Sequence, residues 1–124
     1  QSDGARSFWV NDPEGHRIVF IQGEAERHPV VAATSSPESQ VSRHILHAGF
    51  IVHDRGAEDH FYRDVLGFHE AWHGGMKDGT IDWIDMQVPD GNDCIEYMLR
   101  GPTPPSAEES GVLNHFALGV PRAD

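Results

Sequence analysis

The chain has 124 residues, enough for one modest domain, and its 20 acidic against 9 Lys plus Arg residues give a formal net charge of −11. This charge repels phosphate backbones and anionic membrane surfaces, so neither nucleic acid nor membrane is an expected partner. The single cysteine, Cys94, cannot form an internal disulfide, and no apolar run approaches the roughly 20 residues of a membrane span, so we expect a soluble, cytoplasmic protein.

The first predicted element is a β-hairpin. Residues 8–10 and 17–22 are strand-like, and the turn between them contains Pro and Gly, which favour turn geometry. Residues 23–43 are polar and show neither a two-residue nor a 3.6-residue period. We therefore predict a linker at 23–43, with one candidate short strand at residues 30–32.

A buried strand and a helix are predicted next. Residues 45–52 are apolar and rich in β-branched side chains, and Asp54 can cap a following helix. The apolar positions of that helix recur at helical spacing: Ala57, Phe61, Val65 and Leu66. Gly67 is expected to end the helix.

Three more strands are predicted after the helix, at residues 68–72, 81–88 and 94–99. A glycine-rich loop at 73–79 and a turn at 89–92 separate them. The predicted order is βαβββ. A Pro-rich loop at 101–105 then leads to a last strand at 113–120.

Two segments of the chain each occur twice. Residues 47–52 (HAGFIV) recur as 115–120 (HFALGV), and residues 12–20 are echoed by 89–97. The copies alternate, which predicts one complete unit flanked by two partial units, as if the chain were cut from a longer series. The predicted divisions are a closing hairpin at 1–22, a linker at 23–43, a complete βαβββ module at 44–100, and the loop and first strand of a truncated module at 101–124.

Three polar side chains lie in predicted strands whose same-face neighbours are small or contain sulfur. His47, Glu96 and His115 alternate with small or sulfur-bearing neighbours, while the opposite strand faces carry bulkier apolar residues suited to lie under helices. The pattern predicts a helix-backed sheet with a cavity on its other face.

These three residues are a candidate metal constellation. Imidazole nitrogen and carboxylate oxygen suit zinc, nickel, manganese or ferrous iron. They are 49 and 19 residues apart, so only strands brought together by a sheet could assemble them. The residue types alone are also compatible with a site that binds no metal. The chain has nine histidines, and buried histidines are often hydrogen-bonded to a carboxylate without any metal.

The motifs resemble a module of the vicinal oxygen chelate superfamily, which contains glyoxalase I, extradiol dioxygenases, fosfomycin-resistance enzymes and bleomycin-resistance proteins. The resemblance is carried by HAGFIV at 47–52, HFYRDVLGF at 60–68, VPDG at 88–91 and IEY at 95–97. It covers residues 44–120, and residues 8–22 resemble the closing hairpin of a preceding module. It implies an α+β fold in which two βαβββ modules pair into a cup.

The resemblance also implies a metal site. Members hold a metal with one residue from each opening strand and one from each closing strand, which makes His47, Glu96 and His115 three of four ligand positions. In the first hairpin the fourth carboxylate would fall at Val19, which has no donor atom. Either that hairpin belongs to a separate pair of modules that binds no metal, or this chain offers a three-ligand site. Further sequence in a longer native protein would supply the fourth ligand.

The expected function is a divalent-metal-dependent enzyme of the glyoxalase and dioxygenase kind, acting on a small substrate with two chelating oxygens. Glu96 is the candidate catalytic residue, as a ligand or as a base once detached. The alternatives are a metal-free, drug-sequestering-like binding module and a pseudo-module of a longer enzyme. A homodimer, or the remainder of a longer chain, is expected to cover the exposed sheet.

Other chemistry-bearing residues are given structural roles. Tyr97 is predicted to lie in the core and Cys94 to fill space there. The role of Trp72 stays open. Three residues are expected on a solvated helix surface: His53, Asp59 and His60. For four residues that flank Trp72 or Trp83, a merely solvated role is left open: His69, His73, Asp82 and Asp85.

Overall fold

The computed structural model describes residues 6–22, 42, 44–101, 103, 106–108 and 114–120. Of the predicted linker at 23–43, only Ser42 is described, and the candidate strand at 30–32 lies outside the described residues. No helix among the described residues is long and apolar enough to cross a membrane.

The predicted hairpin is present. Strands β1 (Arg6–Asn11) and β2 (Arg17–Gln22) pair in antiparallel fashion as a two-stranded sheet of their own. The turn is closed by a hydrogen bond from the Gly15 backbone N–H to the Asp12 carbonyl at 3.0 Å. Gly15 has a φ of +92°, a backbone conformation that side-chain-bearing residues rarely adopt.

Strand β3 (Ile45–Val52) leads into helix α1 (Arg55–Asp59), which continues as a π-helical segment, His60–Val65. The predicted cap is confirmed, because the Asp54 side chain accepts a hydrogen bond from the Ala57 N–H at 3.0 Å. Gly67 follows the helix with a φ of +81°.

The predicted buried face of this helix is partly wrong. Val65 is 63% exposed, whereas Glu58 and Tyr62 are the buried residues. The reason is the π-helical segment, whose hydrogen bonds span five residues, such as that from the Leu66 N–H to the Phe61 carbonyl. This wider turn moves the later side chains away from the 3.6-residue period.

Within the part of the chain that the structure describes, the main sheet has five strands in the order β4-β5-β6-β3-β7. Its remaining members are β4 (His69–Gly74), β5 (Trp83–Gln87), β6 (Cys94–Leu99) and β7 (His115–Leu118). Strand β3 runs parallel to β6, and the other neighbours are antiparallel. The predicted βαβββ order is confirmed. The last strand is shorter than predicted, and residue 113 lies outside the described residues.

The hydrophobic core lies on the helix-backed face of this sheet. Its fully buried members come from the helix and three strands: Val52, Tyr62, Ile84, Met86 and Tyr97. The prediction that Tyr97 is a core residue is confirmed. Because alternate residues of a strand point to opposite faces, Glu96 and its same-face neighbours point away from this core.

The hairpin contacts the helix end of the module through carboxylates. Glu14 accepts hydrogen bonds from the backbone N–H groups of His53 and Asp54, and it contacts the His53 ring at 2.9 Å. Asp12 accepts a hydrogen bond from the Tyr62 hydroxyl at 3.1 Å. The prediction of a solvated His53 is therefore wrong, since this residue is half-buried against Glu14.

Candidate metal centre

Three adjacent strands bring the predicted ligands together. In the sheet, Gly49 of β3 lies opposite Glu96 on the β6 side and opposite His115 on the β7 side. His47 precedes Gly49 by two residues and therefore points to the same face. The register thus gathers three side chains that are distant in sequence at one place on the sheet.

The ligand atoms form a compact triangle. The Nε2 atom of His47 lies 3.1 Å from Glu96 Oε2 and 3.2 Å from His115 Nε2, and His115 Nε2 lies 3.4 Å from the same Glu96 oxygen. Ligands about 2.0 to 2.2 Å from a metal, at angles between octahedral and tetrahedral, are separated by roughly 2.8 to 3.6 Å. The donor set and its spacing therefore fit a divalent transition metal.

The three side chains differ in exposure. Glu96 is buried, His47 is half-buried, and the side chain of His115 is 39% exposed. Burial raises the pKa of Glu96 above its usual range, although the two nearby imidazoles oppose this shift. The centre is thus most open on its β7 side.

Gly49 makes room for the centre. A Cβ atom at this position would lie 2.5 Å from Cε1 and 2.9 Å from Nδ1 of the His115 ring. Only a residue without a side chain allows this ring to lie over β3 next to Glu96.

Asp85 is a neighbour of the centre that the sequence reasoning missed. It lies opposite Glu96 in the β5–β6 pair, and its Oδ1 atom is 3.6 Å from Nδ1 of His47. The solvated role that the sequence left open for Asp85 does not hold, because this oxygen is buried. Alternation in β5, combined with the short turn to β6, was the signal that could have placed Asp85 on the face of Glu96.

The remaining residues singled out in the sequence lie around the centre or away from it. Cys94 is on the face of Glu96, opposite His47, and burial raises the pKa of its thiol. Trp72 lies opposite Asp85 and is 53% exposed. Val19 belongs to the separate two-stranded sheet, is 54% exposed, and offers no ligand.

Comparison with known proteins agrees with this fold. The family model described as the Glyoxalase/Bleomycin resistance protein/Dioxygenase superfamily matches residues 44–124, well over half of the chain. The chain belongs to this superfamily. The predicted resemblance is thereby confirmed, together with the glyoxalase-type α+β module. Neither the curated proteins nor the solved structures give a match to this chain.

Proposed function

We propose that this protein is a divalent-metal-dependent enzyme of the glyoxalase and dioxygenase type, acting on a small substrate that offers two neighbouring oxygens. The observation that carries the proposal is the triangle formed by His47, Glu96 and His115, with edges of 3.1 to 3.4 Å. Membership of the superfamily supports the same assignment.

The three residues have distinct parts in this proposal. The two imidazole nitrogens and the Glu96 carboxylate would hold the ion, and this set suits zinc, nickel, manganese or ferrous iron. A bound ion of this kind polarises substrate oxygens and stabilises the charge that develops on them. Three ligands leave further coordination positions for those oxygens. Glu96 is the candidate catalytic residue, as a ligand that can become a base on detaching.

We also propose that more protein covers the β7 side of the centre, either a second copy of the chain or further sequence. Among the described strands, β7 lies at an edge of the five-stranded sheet, next to β3. Phe116 and Leu118 of this strand are 65% and 47% exposed. An unpaired edge with exposed apolar side chains favours association with another strand.

Metal binding tests the proposal directly. Elemental analysis of protein purified without a metal-binding tag is expected to find about one equivalent of a transition metal, and His47→Ala or Glu96→Ala should weaken binding at least tenfold. His69→Ala and Glu108→Ala are matched controls, because both residues are exposed and neither belongs to the ligand group.

The outcomes separate the alternatives. Bound iron would favour oxygen chemistry on a diol-like substrate, whereas zinc, nickel or manganese would favour isomerase or transferase chemistry. A parent protein that neither contains nor takes up these metals would contradict the proposal and favour a metal-free binding module. Equal metal affinity in the parent, His47→Ala and Glu96→Ala proteins would reject the ligand assignment.

A further inference from the structure

We propose that Asp85 is a positioning residue of the metal centre, whose carboxylate accepts the Nδ1–H of His47 and holds that ring with Nε2 directed at the other ligands. The inference deepens the proposed function and rests on it. It adds a fourth residue that is not itself a ligand.

The His47 ring lies between two carboxylates. Its Nε2 atom is 3.1 Å from Glu96 Oε2, and its Nδ1 atom is 3.6 Å from Asp85 Oδ1. Asp85 therefore approaches the ring nitrogen that is not directed at the ligand triangle. This position excludes it from the group whose ligand atoms converge, which contains His47, Glu96 and His115.

The chemistry of imidazole gives Asp85 its part. A neutral ring carries one N–H, so a histidine that uses Nε2 as a metal ligand has its proton on Nδ1. In this protein that proton faces Asp85. A carboxylate at the second nitrogen fixes the orientation of a ligating histidine and increases its basicity.

The proposed contact would give the Asp85 carboxylate the hydrogen-bond donor that it lacks among the described residues. Its Oδ1 atom is buried and has no hydrogen-bond partner among the described residues. Buried polar atoms without a partner are unfavourable, and His47 Nδ1 is within ion-pair distance of this oxygen. The 3.6 Å separation is about 0.4 Å beyond the upper end of the usual range for an N–H···O hydrogen bond, so the proposed contact requires the two groups to move closer by at least this distance.

The strand register gives a second reason. Asp85 and Glu96 are directly opposite each other in the antiparallel β5–β6 pair. Like charges in this arrangement destabilise a sheet, and a cation held beside Glu96 together with the Nδ1–H of His47 beside Asp85 would offset this repulsion. The His47 ring lies against both carboxylates, so this pair is arranged around a ligand rather than around the core.

Two variants of Asp85 test whether its side chain acts as a hydrogen-bond acceptor or only contributes charge or volume. Asp85→Asn keeps an acceptor oxygen with nearly the same shape but removes the charge, whereas Asp85→Leu removes both. Asp90→Asn and Asp90→Leu make the same changes at an exposed position of the turn between β5 and β6 and serve as controls.

Zinc affinity is measured by competition with a chelator on the full chain, and the His47 Nδ1–H signal of the zinc-loaded protein is recorded by NMR. We expect Asp85→Leu to bind zinc 10- to 100-fold more weakly and to lose the protected Nδ1–H signal. Asp85→Asn should keep that signal and lose less affinity, and the Asp90 variants should match the parent.

Several results would overturn the inference. Asp85→Leu binding zinc within twofold of the parent would do so, as would equal losses in Asp85→Leu and Asp85→Asn. If Asp85→Leu does not fold, an Asp85→Asn protein without the protected signal contradicts it equally. If the parent protein binds no zinc or other divalent metal, the proposed function itself is rejected. If the parent binds zinc and Asp85→Leu binds it with the same affinity, only the role of Asp85 is rejected.

Discussion

Tyr62 and Tyr97 lie side by side in the core, with ring centroids 5.9 Å apart, yet within the described residues only one of their hydroxyl groups has a hydrogen-bond partner. The Tyr62 hydroxyl donates a hydrogen bond to Asp12 of the hairpin turn at 3.1 Å. The Tyr97 hydroxyl is buried without a hydrogen-bond partner among the described residues. Two chemically identical side chains thus contribute to stability in opposite ways.

Removing each hydroxyl is expected to separate these contributions. Tyr62→Phe should lower the free energy of unfolding by about 1 to 3 kcal/mol, because Asp12 loses a buried donor. Tyr97→Phe should leave stability unchanged or raise it by about 1 kcal/mol, because a buried group without a partner is removed. Urea unfolding of both variants measures the difference, and equal destabilisation of the two proteins would contradict the assigned contacts.

The close approach of Gly49 to His115 predicts a second effect. In Gly49→Ala the new methyl group would lie 2.5 Å from the ring Cε1 atom, so the ring must move away from Glu96. We expect zinc affinity to fall about tenfold or more while the helix-backed core remains intact. Gly101→Ala is the control, because a Cβ atom there meets no atom within 4 Å. Unchanged affinity in Gly49→Ala would show that the ring position is not needed for binding.

The contacts of Glu14 indicate how the hairpin is attached to the start of the helix. Its carboxylate accepts two backbone N–H groups, those of His53 and Asp54, at the start of the helix. These hydrogen bonds, together with that from the His53 ring, outweigh burial and lower the pKa of Glu14. Glu14→Ala should destabilise the protein by about 1 to 2 kcal/mol, since one part-buried and one exposed backbone donor lose a charged acceptor.

Hydrogen exchange at His53 and Asp54 checks this prediction locally. Both amides should exchange at least tenfold faster in Glu14→Ala, whereas amides in the centre of β6 should change only as far as global stability changes. Glu14→Gln, which retains one acceptor oxygen, should be intermediate. Protection of both amides at the parent level would reject the attachment.

The sequence contained the parts of the site that local patterns encode. Alternation assigned His47 and Glu96 to strand faces opposite the core, and the repeated segment placed His115 at the position equivalent to His47. The distances between them are set by strand register, which local pattern does not specify.

What sequence reasoning missed depends on contacts between distant segments. Asp85 became a neighbour of His47 only through the pairing of β5 with β6 and of β6 with β3. The attachment of the hairpin depends on contacts of Asp12 and Glu14 with a helix about 40 to 50 residues later in the chain. The periodicity of the sequence does not predict such contacts. The π-helical segment was likewise not predicted, and its wider turn buries Tyr62 in the core and leaves the expected Val65 exposed.

Glu58 predicts an unusual dependence of stability on pH. The side chain is fully buried, with Oε1 accepting the Glu14 N–H and Oε2 without a hydrogen-bond partner among the described residues. Burial, with the nearby charge of Asp12, raises its pKa from 4.5 to about 7. The folded protein therefore binds this proton more tightly than the unfolded chain. The resulting contribution to the free energy of unfolding is complete below about pH 4.5 and is lost as pH rises through 7.

Glu58→Gln removes this dependence, so its free energy of unfolding should rise relative to that of the parent by on the order of 3 kcal/mol between pH 4.5 and 8. Urea unfolding across this range measures the difference, with Glu108→Gln as an exposed control, and a constant difference between Glu58→Gln and the parent would contradict the raised pKa.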